Sequence, residues 1–296
     1  MTQLVIKIDV DTDKGTRIGI PNLLRIFKNL GIKATFLLSL GPDHTGRTIF
    51  RIFRKGFLKK ASRTNAIQIY GIKTLINGLL IPGPHIGRRH GDIMRRIEDE
   101  GHEVGIHCYD HIRWQDHLHR MSFDEVKSEF LNAYDMFKHI FGRPSKGIGS
   151  AGWQTNQHSL WCYDHYDFLY SSDTRGLNPF FPRMDNTIFK TLQIPTNLPT
   201  LDEVLGRIPS VDDYYDDLIA SQDVNVMTVH TELEGMFYLN WFEKFLQRHQ
   251  EKGAQFLTLE DLAKILLKNP KNIPLMQIVQ RDIEGRSGLL SVALRE

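Results

Sequence analysis

The sequence predicts an α/β fold built on parallel strands, and three observations predict it. The chain opens strand–helix–strand, the order a parallel sheet requires. Short β-branched runs then recur and alternate with segments of helical spacing. The polar residues with chemistry in them sit where those runs end, which is where parallel sheets and barrels carry their sites. Composition agrees. With 296 residues, 41% hydrophobic and 24% charged, the make-up is that of a soluble globular chain. The length suits one large domain or a domain with an insertion.

Residues 4–8, Leu-Val-Ile-Lys-Ile, form the first predicted strand, which empties into Asp9-Val-Asp11. Side chains two apart on a strand point the same way, so both acids can face one cavity. An Asp-rich surface turn is the alternative, because Asp11-Thr-Asp13-Lys-Gly15 also has turn chemistry. Leu23, Leu24, Ile26, Phe27 and Leu30 have helical spacing, with Gly31 as the stop. Residues 34–39 form the second strand. A helix over 92–100 ends at Gly101, and a strand over 104–106 leads to His107-Cys-Tyr-Asp-His111. Two imidazoles four apart can meet one ion from a helical turn or a tight loop. With 13 His in the chain, the spacing also arises without a metal. Ser122 and Glu125 are spaced as a capping box for a helix to about residue 141, stopped by Gly142-Arg-Pro144. Residues 147–153 form a small-residue strand and turn that permits close backbone approach, including approach to a substrate. Strands over 167–172, 191–194 and 224–229 follow. The first delivers Asp173 and Arg175, and the last delivers His230. Helices over 236–249 and 260–268 flank a short strand at 255. The tail from Pro270 carries no clear pattern.

The formal net charge of +2 conceals an asymmetry. Between His44 and Gly91 there are ten Lys or Arg and no acid. Such a block implies an anionic surface or ligand. Ile49, Phe50, Phe53 and Phe57 share one helical face, with Arg47, Arg51, Arg54, Lys55 and Lys59 on the other side. This is the pattern of a basic amphipathic helix at a membrane interface. Residues 66–81, with Lys73 as the sole charge, are short for a span but suit a shallow position in the bilayer or a cover over a lipid tail. A helical hairpin packed on the body is the plainer alternative. Nucleic acid is disfavoured, since stacking platforms need exposed aromatics along the basic track. The N-terminus lacks the basic region and apolar core of a signal peptide. Two cysteines, Cys108 and Cys162, make no disulfide framework, which suits a reducing compartment.

Asp9, Asp11, His107, Asp173, Arg175 and His230 each end a predicted strand. One acid in such a place is commonly a turn residue. The recurrence describes a barrel or sheet with one polar, metal-capable mouth. Ile8-Asp9-Val10-Asp11, His107-Cys-Tyr-Asp-His111 and Val229-His230, in that order, resemble the motifs of the polysaccharide deacetylase family of metal-dependent carbohydrate esterases. The resemblance implies an irregular (β/α)7-type barrel with a basic amphipathic helical insertion. Residues 1–296 would then be a single catalytic domain and 44–91 a membrane-interacting insertion within it. It implies a metal set of Asp11, His107 and His111 around one divalent ion (Zn, Mn or Co). It makes Asp9 the catalytic base, His230 the catalytic acid and Asp173 the residue that orients or tunes that His. Two departures stand out. Cys108 replaces the family's Ser or Thr after the first His. Residues 147–153 lack the Arg that the family pairs with its base, Arg143 lying upstream.

Residues 7–15, 147–156 and 171–176, with the basic insertion, look like a lipid-directed branch of that family. This implies removal of the N-formyl group from 4-deoxy-4-formamido-L-arabinose linked to undecaprenyl phosphate, for lipid A modification and polymyxin resistance. Arg175 and Trp153 would contact substrate, although a structural salt bridge also accounts for Arg175. Phe50, Phe53, Phe57, Arg51 and Arg54 would contact the membrane. The expected place is the cytoplasmic face of the bacterial inner membrane, as a peripheral protein. Two alternatives stay open: a deacetylase of another amino-sugar glycan, and a non-catalytic carbohydrate- or lipid-binding barrel.

Overall fold

The structure, a computed structural model, describes residues 2–48, 77–286 and 288–294. Phe50, Arg51, Phe53, Arg54 and Phe57, on which the membrane expectation rests, lie outside the described residues.

The chain runs through β1 (Gln3–Val10), β2 (Thr35–Ser39), β3 (Glu103–Cys108), β4 (Gly147–Ile148) and β5 (Tyr170–Ser171). It then makes a side excursion through β6 (Phe181–Met184) and β7 (Thr187–Ile188). It returns through β8 (Leu192–Gln193), β9 (Val224–His230) and β10 (Gln255–Leu257). All pairings within the main sheet are parallel. Residues 3–9 of β1 pair with β9 along one edge, while β10 (at 3–5) and β2 (at 7–10) share the other. The eight-stranded sheet therefore reads β9-β1-β2-β3-β4-β5-β8, with β10 beside β2 on the same edge of β1.

The period of two explains how one strand serves both a core and a site. Leu4, Ile6, Ile8 and Val10 face outward to the helices, packed with Leu23, Phe27, Phe242 and Phe245. Burying such side chains stabilises by about 1.5–3 kcal/mol each. Val5 faces inward with Tyr170, Leu192, Val226 and Leu257. Continuing up that inner side come Lys7, Asp9 and Asp11. On β3 the inner parity carries Glu103, Gly105 and His107; on β9 it carries Val226, Thr228 and His230. Along β1 the inner face thus changes from apolar at Val5 to ionic at Lys7, Asp9 and Asp11.

The sheet does not close between β8 and β9. Side chains and one backbone bond bridge the seam. Leu198 N–H donates to Val226 O (3.2 Å), Asn197 Oδ1 accepts Val226 N–H (2.7 Å), and the Thr196 and Thr228 hydroxyls meet at 2.8 Å. β11 (Leu275–Asp282) and β12 (Leu289–Leu294) form an antiparallel hairpin that joins β6 and β7 in a second, four-stranded sheet. The hairpin reaches the seam where Arg175 N–H donates to Ser291 O (2.9 Å) and Ala293 N–H to Arg175 O (2.9 Å). This is the tail in which the sequence shows no pattern.

The helices at Ile20–Leu30 and Phe123–Phe141 form as expected. Gly31 (φ 66°) and Gly142 (φ 69°) end them, and Ser122 with Glu125 makes the capping box. The helix expected over 92–100 is Ile86–Asp99, starting earlier because His85 caps it. The strand expected over 167–172 narrows to β5, since Asp167 sits in a left-handed turn (φ 52°) just before it. Among the described residues no helix is long and apolar enough to cross a membrane.

Candidate active site

Asp9 and His230 are direct register partners on adjacent strands, so base and acid candidates stand side by side at the mouth. Asp11 lies one inward-facing step beyond Asp9. His107 rises from β3, and the chain turns at once into the helix His111–His117. Asp110 caps that helix by accepting Arg113 N–H (3.1 Å), and its other oxygen meets His44 Nδ1 at 2.6 Å. The cap places His111 as the first helical residue, facing Asp11.

The three expected metal ligands converge. Asp11 Oδ1 is 3.3 Å from His107 Nε2, and Asp11 Oδ2 is 3.5 Å from His111 Nε2. One donor atom from each lies within 4.8 Å of the others. His107 Nδ1 contacts Gly149 O at 2.5 Å. A carbonyl only accepts, so Nδ1 carries the hydrogen and a neutral ring turns its Nε2 lone pair toward the Asp11 carboxylate. Two acceptors face to face need a positive charge between them, either a proton or a cation. Asp9 Oδ1 and Asp11 Oδ1 are buried without a hydrogen-bond partner. A bare buried acceptor costs about 1–3 kcal/mol, so such atoms call for an explanation, a bound ion among them. Two imidazole nitrogens and a carboxylate oxygen suit a divalent first-row metal. The residues present fit the expected ion. Burial opposes ionisation of Asp11, but His111 and His107 outweigh it and hold its pKa far below the usual range. Burial likewise opposes charging of His107, yet Asp9 and Asp11 hold its pKa above the ordinary value.

The two departures from the family pattern are both occupied. Cys108 Sγ lies 3.3 Å from Ser39 Oγ, buried. Arg143 is committed elsewhere, to Glu98 (2.9 Å from Nε) and Pro144 O. The cation beside Asp9 is Lys7, whose Nζ is 3.8 Å from Asp9 Oδ1 and donates to Ser172 O at 3.0 Å.

Asp173 is fully buried. It accepts Ser150 N–H (2.6 Å) and Gln193 Nε2–H (3.2 Å), and burial raises its pKa. It ties the 147–153 loop to β8, and no hydrogen bond joins it to His230. Arg175 is also buried. It donates to Thr196 O (3.2 Å), Glu203 Oε1 (2.7 Å) and Leu198 O (3.2 Å). Trp153 is buried too, its Nε1–H on Thr196 Oγ1 (3.1 Å), with the Arg175 guanidinium 5.1 Å from its ring centroid.

Two further acids flank the mouth unannounced by the sequence. Glu232 accepts Thr12 N–H (3.1 Å) and the Thr12 hydroxyl (2.5 Å), fixing the residue that follows Asp11. Glu234 accepts the backbone N–H of His230 (2.9 Å). Burial first, then the Asp11 charge, lifts Glu232 to about 8, and burial lifts Glu234 to about 8. The available signal was position: both acids follow immediately after a strand that ends in His230.

An acid pair and two histidines at the C-terminal edge of an eight-stranded parallel sheet place the molecule in a class. The polysaccharide deacetylase family matches residues 10–171, more than half of the chain, and the chain belongs to that family. Membership places it among deacetylase-type hydrolases. Two curated relatives carry the name "Probable 4-deoxy-4-formamido-L-arabinose-phosphoundecaprenol deformylase ArnD". The protein from Shewanella sediminis (strain HAW-EB3) is 36% identical over 98% of this chain and 94% of its own length. That from Wigglesworthia glossinidia brevipalpis is 35% identical over 94% and 97%. A solved structure described as a "probable Polysaccharide deacetylase" from Pseudomonas aeruginosa PAO1 matches with a TM-score of 0.60 at 15% identity, over 90% of this chain and 91% of that one. The parallel sheet described above, open between β8 and β9, is the half-barrel fold of that family.

Proposed function

We propose that the protein hydrolyses the N-formyl group of a 4-formamido sugar, 4-deoxy-4-formamido-L-arabinose, carried on undecaprenyl phosphate. The products are formate and the free 4-amino sugar lipid, used for lipid A modification and polymyxin resistance. The observation that carries the chemistry is the meeting of Asp9, Asp11, His107, His111 and His230 at one mouth. The substrate comes from the name borne by the two relatives.

Asp11, His107 and His111 would hold one divalent ion, Zn, Mn or Co, which supplies Lewis-acid polarisation of the formyl oxygen and acidifies water. Asp9 takes the proton of the attacking water as its oxygen bonds to the formyl carbon. His230 gives a proton to the sugar nitrogen as the C–N bond breaks. Asp173 serves by holding the Ser150 loop and β8, which wall the site behind Lys7. Arg175 and Trp153 enter this reading as part of that wall rather than as substrate contacts, because the guanidinium already donates to three protein oxygens.

The lipid carrier stays in the bilayer, so the enzyme must work at its surface. Phe50, Phe53 and Phe57 would enter the interface and Arg51 and Arg54 meet anionic headgroups, giving reversible attachment at the cytoplasmic face of the inner membrane. Changing the three Phe to Ser should abolish binding to anionic liposomes; unchanged binding ends this part of the reading.

Mass spectrometry of the formamido lipid after incubation with metal-loaded protein tests the chemistry. Loss of one CO unit is expected, and an unaltered lipid refutes the proposal. His230→Ala, with metal content retained, should lose the activity, which a non-catalytic binding barrel would not possess at all.

A further inference from the structure

Lys7 is the least expected residue in the barrel. Its neighbours on β1 are Ile6 and Ile8, and its side chain is 1% exposed. A buried ammonium is costly unless charge and hydrogen bonds compensate it. It is compensated by one carbonyl, Ser172 O, the Asp9 carboxylate at 3.8 Å and the face of Trp153 at 5.5 Å. Burial draws its pKa below the ordinary value, with Asp9 and then Asp173 opposing that.

The space for this side chain is made by the stretch that lacks an arginine. A Cβ on Gly149 would collide with Leu37 and come within 3.4 Å of Lys7 Cε. Gly149 also presents the carbonyl that His107 Nδ1 uses. The 147–153 loop thus gives up side-chain volume where Lys7 passes beneath it. The cation reaches Asp9 from below, along its own strand, two residues earlier and on the same face.

On the reading of Asp9 as the base, we propose that Lys7 is its positioning residue, an internal cation that fixes the Asp9 carboxylate at the mouth without touching substrate or metal. Asp9 Oδ1 has no hydrogen-bond partner, so the ammonium is the principal cationic contact holding that oxygen, with His107 Nδ1 next at 3.9 Å. Lys7 would do for this chain what an arginine in the third motif does in relatives that have one.

The test uses the full chain, loaded with Zn, and the formamido lipid. Lys7→Met should lower kcat about 100-fold, the scale of a misplaced catalytic group, with KM and metal content changed less than about twofold. Lys7→Arg should recover at least about tenfold of that loss, since it restores the charge. Combined with Asp9→Asn, Lys7→Met should add nothing, because both changes act through one carboxylate. A second measurement needs no activity. Asp9→Asn should lower the Tm by stranding the ammonium, and adding Lys7→Met should restore it. The inference is overturned if Lys7→Met keeps kcat within about threefold of wild type, if its loss multiplies with that of Asp9→Asn, or if Asp9→Asn leaves the Tm unmoved. Should Asp9→Asn be fully active, the proposed function falls instead, and the stability cycle still decides whether the two charges are paired.

Discussion

Two clusters of buried charge lie within one barrel, and they are finished to different degrees. At the seam, Glu203 Oε1 accepts from Arg175 Nη1 (2.7 Å) and Arg286 Nε (2.5 Å), and Oε2 accepts Thr200 N–H (3.2 Å). Arg286 gives a further bond to Thr200 Oγ1 (2.7 Å), and both guanidinium groups lie over Trp153, at 5.1 and 4.5 Å. Burial works against ionised Glu203, but Arg286 and Arg175 outweigh it and keep its pKa low. At the mouth, Asp9 Oδ1 and Asp11 Oδ1 have no hydrogen-bond partner and His107 turns a lone pair toward a carboxylate. Both oxygens of Glu203 accept a donor, whereas Asp9 and Asp11 each leave one oxygen without one. Between these two clusters, it is incomplete satisfaction of the carboxylates, more than the presence of charge, that marks the site.

The contrast can be broken from either side. The largest effect is expected at the mouth. His107→Ala should cut kcat by about 10³-fold or more, the scale of losing a principal electrostatic stabiliser, while thermal stability changes little. Metal content measured alongside should fall with it. At the seam the sign of the trade reverses. Arg175→Met strands part of the Glu203 charge and should cost about 3–5 kcal/mol in urea unfolding. Its residual activity per folded molecule should stay close to wild type.

A third carboxylate sharpens the comparison. Glu103, at the base of the barrel, accepts from Tyr170 OH (2.5 Å), Thr35 Oγ1 (2.6 Å) and Glu260 N–H (3.0 Å). Burial nonetheless lifts its pKa from 4.5 to about 7, so the fold favours the protonated form. Its contribution is full below pH 4.5 and is lost as pH rises through about 7. Glu103→Gln should therefore gain on the order of 3 kcal/mol relative to wild type between pH 4.5 and pH 8, read as a flatter pH profile in urea melts. The smallest effect is far from both clusters. Ser122→Ala removes the cap of Phe123–Phe141 and should cost about 1 kcal/mol in the same melts.

What could be read from the sequence follows from the same period of two. Asp9 and Asp11 share a face by spacing alone, and the short strands that end in His107 and His230 deliver them to the same rim. His107 and His111 are one turn apart, so their meeting needed only the strand-to-helix change at Asp110. Lys7 escaped notice because a lone Lys amid Ile reads as the solvent side of an alternating strand. Yet it shares parity with Asp9, and a strand apolar on its other face and covered on both has no solvent side. The hairpin after Pro270 was illegible for another reason. Its strands carry Gln, Arg, Asp and Ser, and their partners are Arg175 and the β6 strand some hundred positions earlier. Nothing local announces such a pairing. Arg175 and Trp153 carried the right residue types for a ligand. Only their saturated surroundings show what occupies them.

The seam has a consequence for the order in which the molecule is made. The candidate ligands Asp11, His107 and His111 all precede the closing hairpin by a long stretch of chain, and β1 and β3, which lead to Asp11 and His107, both pair with β2. The wall behind them depends on Ser291, Ala293 and Arg286, which come much later in the chain. A ribosome-bound chain can thus assemble a cation-binding rim long before it owns a finished interior. The interior behind that rim closes only when the β11–β12 hairpin, far downstream in the chain, reaches Arg175.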